Sequence, residues 1–314
     1  NEFEKEWDSL ERDFYNSLNK DFKTILSTFQ RLYALGLLCD HFGYFAEVEI
    51  KNQLKKIVPE DKISLYSSYL LNSDYKSFSQ IEENELRKIG KLKETEKKEA
   101  LKKHAQKWCW IKNSFFGRII LDENFFEERL EHLDKIETST QKLRIDSSIL
   151  PEETKKLSKF IAFLTEIQDR RKKAFMIAVH NLMEKLEEIS KEKAVSLDEL
   201  KLYSADEIID LLEKNKKANI KERKEKWAYY FIQGDLKNLS GKEISKIESL
   251  IKEPEEKILA LKGVTVYPGI VKGIVKVLRN PSETSKMEKG DILVTSMTRP
   301  DFILAIKKAA AIVT

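Results

Sequence analysis

Few side chains in this sequence are placed for chemistry, and the triplet Asp169-Arg170-Arg171 comes first among them. Arg171 falls four residues after Ile167 and four before Phe175, on an apolar helical stripe. A guanidinium there can face an interior cleft and clamp an anionic group with its planar fork. It can equally lay its stem along the core edge and pair with a glutamate. His104 and Trp108 stand i, i+4 on one helix face beside Trp110. They read either as a wall of an aromatic pocket for a planar ligand or as core packing of two tryptophans. His180 sits one position off the long apolar stripe and reads as structural. Asp40-His41 has the residue types of an acid/base pair, but sequence neighbours on a helix do not face each other. Cys39 and Cys109 have no spacing partner for a metal site, so no metal ligand is assigned.

A second group of residues acts through the backbone. Gly263, Gly269, Gly273 and Gly290 are four of the ten glycines, and Pro268, Pro281 and Pro300 are half of the six prolines. Before about Gly263 the chain is Lys/Glu-rich and helical in pattern; after it, β-branched residues take over. Val271, Gly273, Val275 and Val277 fall on one face of a strand, and Ile270, Lys272, Ile274 and Lys276 on the other. Tyr267-Pro268-Gly269 and Lys289-Gly290-Asp291 read as turns, with a second strand over Ile292 to Thr295. Thr298-Arg299-Pro300-Asp301 reads as a helix start, Thr298 capping a free N–H and Asp301 lying near the positive end of the dipole. The helix is expected over Phe302 to Ala310, with another strand beginning at Ala311. The pattern alone describes a small α/β unit and says nothing about phosphate.

Taken together, four runs carry a resemblance: G-x-x-x-x-P-G (Gly263 to Gly269), V-x-G-x-V (Val271 to Val275), GDILV (Gly290 to Val294, with Asp291) and M-T-x-P-D (Met297 to Asp301). The segment resembles the phosphohistidine, or swivelling, domain of the phosphoenolpyruvate-utilising enzymes, such as phosphoenolpyruvate synthase, pyruvate phosphate dikinase and rifampicin phosphotransferase. The resemblance implies a carrier histidine that takes phosphate from ATP or phosphoenolpyruvate, with Mg²⁺ on the phosphates, and passes it to an acceptor such as pyruvate. In the family that histidine follows shortly after the segment matching Ala311 to Thr314. None of His41, His104, His132 and His180 lies there. The resemblance therefore implies a catalytic histidine beyond Thr314 and a 314-residue fragment that is itself inactive. It also implies an ATP-binding (ATP-grasp) partner domain, in cis or in trans, because no Gly-rich phosphate-binding stretch occurs here. A small-molecule acceptor is expected against the helical region, as in the rifampicin phosphotransferase type. The alternative is a non-catalytic helical binding or regulatory module with a degenerate swivelling domain.

The elements that must position these residues are mostly helices. Trp7, Leu10 and Phe14 begin one, and Phe22, Ile25, Leu26, Phe29, Leu32 and Tyr33 mark an amphipathic second. Pro59, the polar stretch Asn72 to Gln80, and Pro151 are breaks. Glu82 to Lys107, dense in i, i+4 charge pairs, reads as a solvated helix. The longest helix is predicted from about Glu153 to Ser190, followed by two capping boxes, Ser196/Glu199 and Ser204/Glu207. The fold class is thus mainly α: a multi-helix domain over residues 1–255, then a truncated α/β swivelling domain over 256–314. Charged residues make up 35% of the chain at a formal +4, too balanced to argue for nucleic acid. No stretch reads as membrane-spanning or as a signal peptide, and two unpaired cysteines fit a reducing cytoplasm.

Overall fold

The computed structural model of the chain describes residues 2–71, 75–115, 117–133, 145–233, 235–251, 263, 269–279, 281–296, 298 and 302–314. They divide into two compact units, Asn1–Ile247 and Glu248–Thr314.

The first unit is helical. Helix α1 (Glu2–Ser17) buries Trp7, Leu10 and Phe14, and α2 (Phe22–Leu54) starts at Asp21, whose carboxylate accepts from the Thr24 amide. After Pro59 come α3 (Glu60–Leu71), α4 (Phe78–Gly90), α5 (Glu94–Trp108) and α6 (Glu123–Leu133). Ser77 and Gln80 close a capping box at the head of α4, each bonding the other's backbone amide. Helix α7 (Glu152–Lys193) begins after Pro151 and ends where Ala194 turns left-handed at φ 48°. Short helices α8 (Leu197–Leu200) and α9 (Ala205–Lys214) follow, then an antiparallel hairpin of β1 (Trp227–Ile232) and β2 (Asp235–Ser240), and α10 (Lys242–Ile251). The capping box expected at Ser204/Glu207 is complete; at Ser196 only the hydroxyl half is formed.

The two longest helices, α2 and α7, are the spine. One core gathers Trp7, Phe14, Leu32, Cys39, Leu86, Trp108, Phe126 and Ile167 between α1, α2, α4–α6 and α7. A second packs Leu186 and Ile189 of α7 under α8 and α9, and a third joins Ile50 and Leu54 of α2 to α3 and Ile161. Gly36 makes the closest approach possible: a Cβ there would lie 2.7 Å from Cδ of Arg171 and 2.8 Å from the Trp7 ring. Among the described residues no helix is long and apolar enough to cross a membrane.

One helix reads differently in the structure. Glu82 to Lys107 is broken at Lys91–Lys93 into α4 and α5, and it is not a solvated surface. Leu101, His104, Ala105 and Trp108 are buried at i, i+3, i+4, i+7, a stripe that the surrounding charge had masked.

In the second unit, β3 (Val275–Val277), β4 (Ile292–Val294) and β5 (Ala311–Val313) form a parallel sheet in the order β3-β4-β5. Helix α11 (Ile303–Lys308) connects β4 to β5 as a crossover. Leu278, Met287, Leu293, Phe302 and Ala305 make its core. The strand expected over 270–277 pairs only from Val275. The helix expected over 302–310 is limited to Ile303–Lys308.

Candidate functional site

In the helical unit α2 and α7 leave a cavity of about 510 Å³, lined by Tyr33, Asp40, Phe115, Gln168, Arg171, Lys172 and Phe175 among others. Its size lies within the range of small-molecule sites. The position of each lining residue follows from helical spacing. Tyr33 and Asp40 are two turns apart on α2, and Gln168, Lys172 and Phe175 share one side of α7. The aromatic wall is Phe175 with Phe115 at 4.3 Å and Tyr33 at 6.0 Å between ring centres.

Arg171 does reach this cleft, but with its charge already answered. Its guanidinium donates to both carboxylate oxygens of Asp40 at 2.8 and 3.0 Å and to the Gly36 carbonyl at 3.0 Å. It also lies 5.4 Å from the Tyr33 ring centre. Of the two readings of Arg171 the geometry matches the ion pair, with an aspartate in place of the expected glutamate. Arg170 points away, to α1. It binds Asp8 at 2.6 Å, Glu11, and Glu166 at 3.4 Å. Burial alone would lower its pKa, yet the bonds to Glu11 and Asp8 hold it above the ordinary arginine value. Asp169 accepts from the Tyr75 hydroxyl at 3.0 Å and from the Phe78 amide at 2.9 Å, so it fixes the start of α4. Lys172 is exposed and has no ion-pair partner among the described residues. It is the cleft's available cation.

His104 and Trp108 are not among the residues that line this cleft. His104 is buried, with Nε2 3.0 Å from Oε1 of Glu82, and its ring stands edge-on to Phe126 at 4.8 Å. Oε2 of Glu82 lies 2.8 Å from a terminal nitrogen of Arg129, out of line for a hydrogen bond. Trp108 donates from Nε1 to Glu85 at 2.9 Å, and its ring packs on Trp110 at 5.3 Å. Glu82 and Arg129 escaped the sequence reading because nothing local distinguishes a buried carboxylate from its exposed neighbours.

Cys109 and His180 come within 3.9 Å, Sγ to Nε2, with Glu184 3.4 Å from the same nitrogen. Burial and the Glu184 charge push the thiol up, and burial pushes the imidazole down. The pair is thus a neutral thiol beside a neutral imidazole at pH 7, the wrong state for a nucleophile. Asp40 and His41 diverge as adjacent helical residues must, with His41 exposed.

In the second unit Gly273, Gly290 and Asp291 act on the backbone. Gly273 sits where a Cβ would come 2.3 Å from the Gly290 carbonyl oxygen, and Gly290 itself has φ +98°. Asp291 is buried, and its carboxylate accepts from the Glu288 amide at 2.8 Å, closing the turn before β4. Among the described residues nothing lies within 4 Å of a Cβ added at Gly263 or Gly269. Thr298 is exposed, and the turn Arg299-Pro300-Asp301 that it is expected to cap lies outside the described residues. The residue before Ile303–Lys308 is Phe302, which makes no side-chain cap bond and whose ring is buried. Pro268, Pro300 and Asp301 lie outside the described residues.

Comparison with known proteins gives partial matches of high identity. A stretch of 85 residues is 46% identical to a protein named probable phosphoenolpyruvate synthase from Archaeoglobus fulgidus, covering 27% of this chain and 11% of that one. The chain is related to the phosphoenolpyruvate-utilising enzymes. A probable phosphoenolpyruvate synthase of Methanocaldococcus jannaschii is 41% identical over 128 residues, 38% of this chain and 10% of its own length. The phosphoenolpyruvate synthase of Pyrococcus furiosus is 42% identical over 93 residues, 28% of this chain and 11% of its own. The chain thus spans about a tenth of the length of these phosphoenolpyruvate-utilising relatives. No protein-family model matches it.

Proposed function

We propose that these residues are part of a phosphoryl-transfer enzyme of the phosphoenolpyruvate synthase type, a helical domain over 1–255 followed by the first part of a phosphohistidine swivelling domain over 256–314. The observation that carries the reading is the 46% identity to an archaeal relative so named, taken with the motif run from Gly263 to Asp301. The parallel strands β3, β4 and β5 joined through α11 support it, since such a unit can serve as the scaffold of a carrier.

In the full-length enzyme a histidine beyond Thr314 receives phosphate from ATP or phosphoenolpyruvate and delivers it to an acceptor such as pyruvate. Histidine suits this work because a neutral imidazole nitrogen is nucleophilic near pH 7. These 314 residues alone are then inactive in the transfer. The helical unit's part is to hold the acceptor, and the cleft of Tyr33, Phe115, Phe175, Gln168 and Lys172 is its contact surface. Lys172 attracts a carboxylate there, and the rings exclude water beside it.

Mg²⁺ and the nucleotide are assigned to another part of the enzyme, an ATP-grasp domain in cis or in trans. Among the described residues no three His, Cys, Asp or Glu side chains gather as ligands for a cation. Asp40 and Asp169, the cleft's carboxylates, are engaged by Arg171 and by Tyr75 and the Phe78 amide. The described residues therefore do not fit the metal, and no step is derived through it.

The test is phosphorylation of the natural full-length product, read from the uninterrupted gene, with labelled ATP or phosphoenolpyruvate and Mg²⁺. The expected result is acid-labile, base-stable label on a histidine downstream of Thr314. No label from either donor, with no histidine in that stretch, overturns the reading and leaves a binding or regulatory module.

A further inference from the structure

The middle of α2 is apolar over most of its circumference, with Asp40, His41 and Glu47 as the polar exceptions. Its inner face, Leu32, Cys39, Ala46 and Ile50 with Gly36 and Gly43, is buried toward α7 and the cores. Its outer face carries Leu37, Leu38, Phe42, Tyr44, Phe45 and Val48, between 40 and 68% exposed. Isolated exposed apolar residues are ordinary, but six within twelve positions of one helix make a contiguous patch of the kind that marks an interaction surface. Along this face Arg31, Ala34, Leu38, His41, Phe45, Val48 and Asn52 are all exposed and follow alternating steps of three and four residues. That is the spacing of a seam that meets another helix.

We propose that this seam is a self-association surface, on which a second copy of the chain docks its own α2 antiparallel. The charges at the ends of the patch choose the partner and the direction. Arg31 and Glu49 flank the apolar stretch and are exposed, and Arg31 has no ion-pair partner among the described residues. Among the described residues Glu49 accepts from the Gln53 amide and has no ion-pair partner. A parallel pair would set Arg31 beside Arg31 and Glu49 beside Glu49, which repels. An antiparallel pair centred between Cys39 and Asp40 sets Arg31 of each copy opposite Val48 of the other, one residue from that copy's Glu49. The same register places small Ala34 opposite Phe45, where the large ring meets a small side chain, and Leu38 opposite His41. A two-fold pair is self-complementary by construction, as a closed dimer requires. Every residue invoked is exposed on one helix, so its replacement leaves the core intact.

The test is sedimentation equilibrium of the 314-residue chain up to about 0.2 mM, where even sub-millimolar association is populated. A monomer–dimer equilibrium is expected, and Phe45→Asp should be monomeric with unchanged helicity and tryptophan fluorescence. Arg31→Glu and Glu49→Arg should each weaken the dimer roughly five- to twentyfold, since two symmetry-related contacts turn repulsive, and the double variant should restore it. A chain that stays monomeric throughout overturns the proposal, leaving the face to another segment of the longer enzyme. So does a dimer that survives Phe45→Asp, or a double charge swap that rescues nothing.

Discussion

Glu82 is fully buried between two other ionisable side chains, the imidazole of His104 at 3.0 Å and the guanidinium of Arg129 at 2.8 Å. The three come from α4, α5 and α6, so the cluster ties those helices together. Removing one member of a buried charged group leaves the rest desolvated and unanswered, whereas replacing the whole group by apolar side chains of similar volume is often neutral. Glu82→Ala should therefore cost about 3–5 kcal/mol. The triple replacement Glu82→Leu, His104→Leu, Arg129→Met should recover most of that loss. Urea unfolding followed by tryptophan fluorescence decides it, and a single variant that loses less than about 1 kcal/mol would show the carboxylate is not structurally required. At this scale the sequence was informative about type and poor about partner. Arg171 was legible as a guanidinium on an apolar stripe. Its partner Asp40 lies 131 residues away, brought there by the approach of α2 to α7 that Gly36 permits. No local pattern encodes that pairing. The Glu82 cluster was missed for the same reason.

At the scale of elements the legible parts were those with local causes. Pro59 and Pro151 mark real helix boundaries, and the long helix predicted over 153–190 runs over Glu152–Lys193. The Ser204/Glu207 box forms because both of its bonds are made within four residues. The β1–β2 hairpin was not foreseen, because Trp227 to Ser240 lacks a regular polar/apolar alternation and its partner strand is chosen by pairing rather than by propensity. In the α/β unit the order strand, strand, helix, strand was legible, while strand length was not: β3 is limited to the residues that β4 can pair. The motif glycines then separate by geometry. Gly273 faces the Gly290 carbonyl at 2.3 Å from any added Cβ, whereas among the described residues nothing lies within 4 Å of one added at Gly269. Gly273→Ala must push β3 off β4 and should cost about 1–3 kcal/mol or more. Gly269→Ala should change stability by no more than about 0.5 kcal/mol. Amide exchange at Leu278 and Ile292, whose N–H groups bond across β3 and β4, reads this directly: roughly tenfold or more faster exchange in the first variant and wild-type protection in the second. Equal exchange in both would mean the strands do not pack as described.

The four tryptophans, Trp7, Trp108, Trp110 and Trp227, all lie within Asn1–Ile247, so fluorescence reports the helical unit by itself. The response of that unit to pH follows from groups of opposite sign. His180 is held below its ordinary 6.5, first by burial and also by Arg118, although Glu184 and Glu187 act the other way. Below 6.5 the unfolded chain takes up a proton that the folded one resists, so this contribution is complete above 6.5 and is lost as pH falls. Glu207, held down by its bonds to Arg223, adds a further loss below its ordinary 4.5. On the alkaline side burial raises Cys39 and Cys109 above 9.0, and burial likewise raises Tyr15, Tyr75 and Tyr229 above 10.0. There the folded state keeps protons that the unfolded chain releases, so stability is full below 9.0 and falls as pH rises past it. The urea midpoint should thus be flat from about pH 6.5 to 9 and decline on both sides, with an acid shoulder before the carboxylates titrate. His180→Gln removes the group responsible for that shoulder while leaving Glu184 with Arg118, 3.4 Å away. Its midpoint should hold from about pH 6.5 down to about pH 5, where the wild type has already begun to fall. If wild type and variant decline in parallel over that interval, the shoulder belongs to another group, and the buried, neutral state assigned to His180 beside Cys109 is wrong.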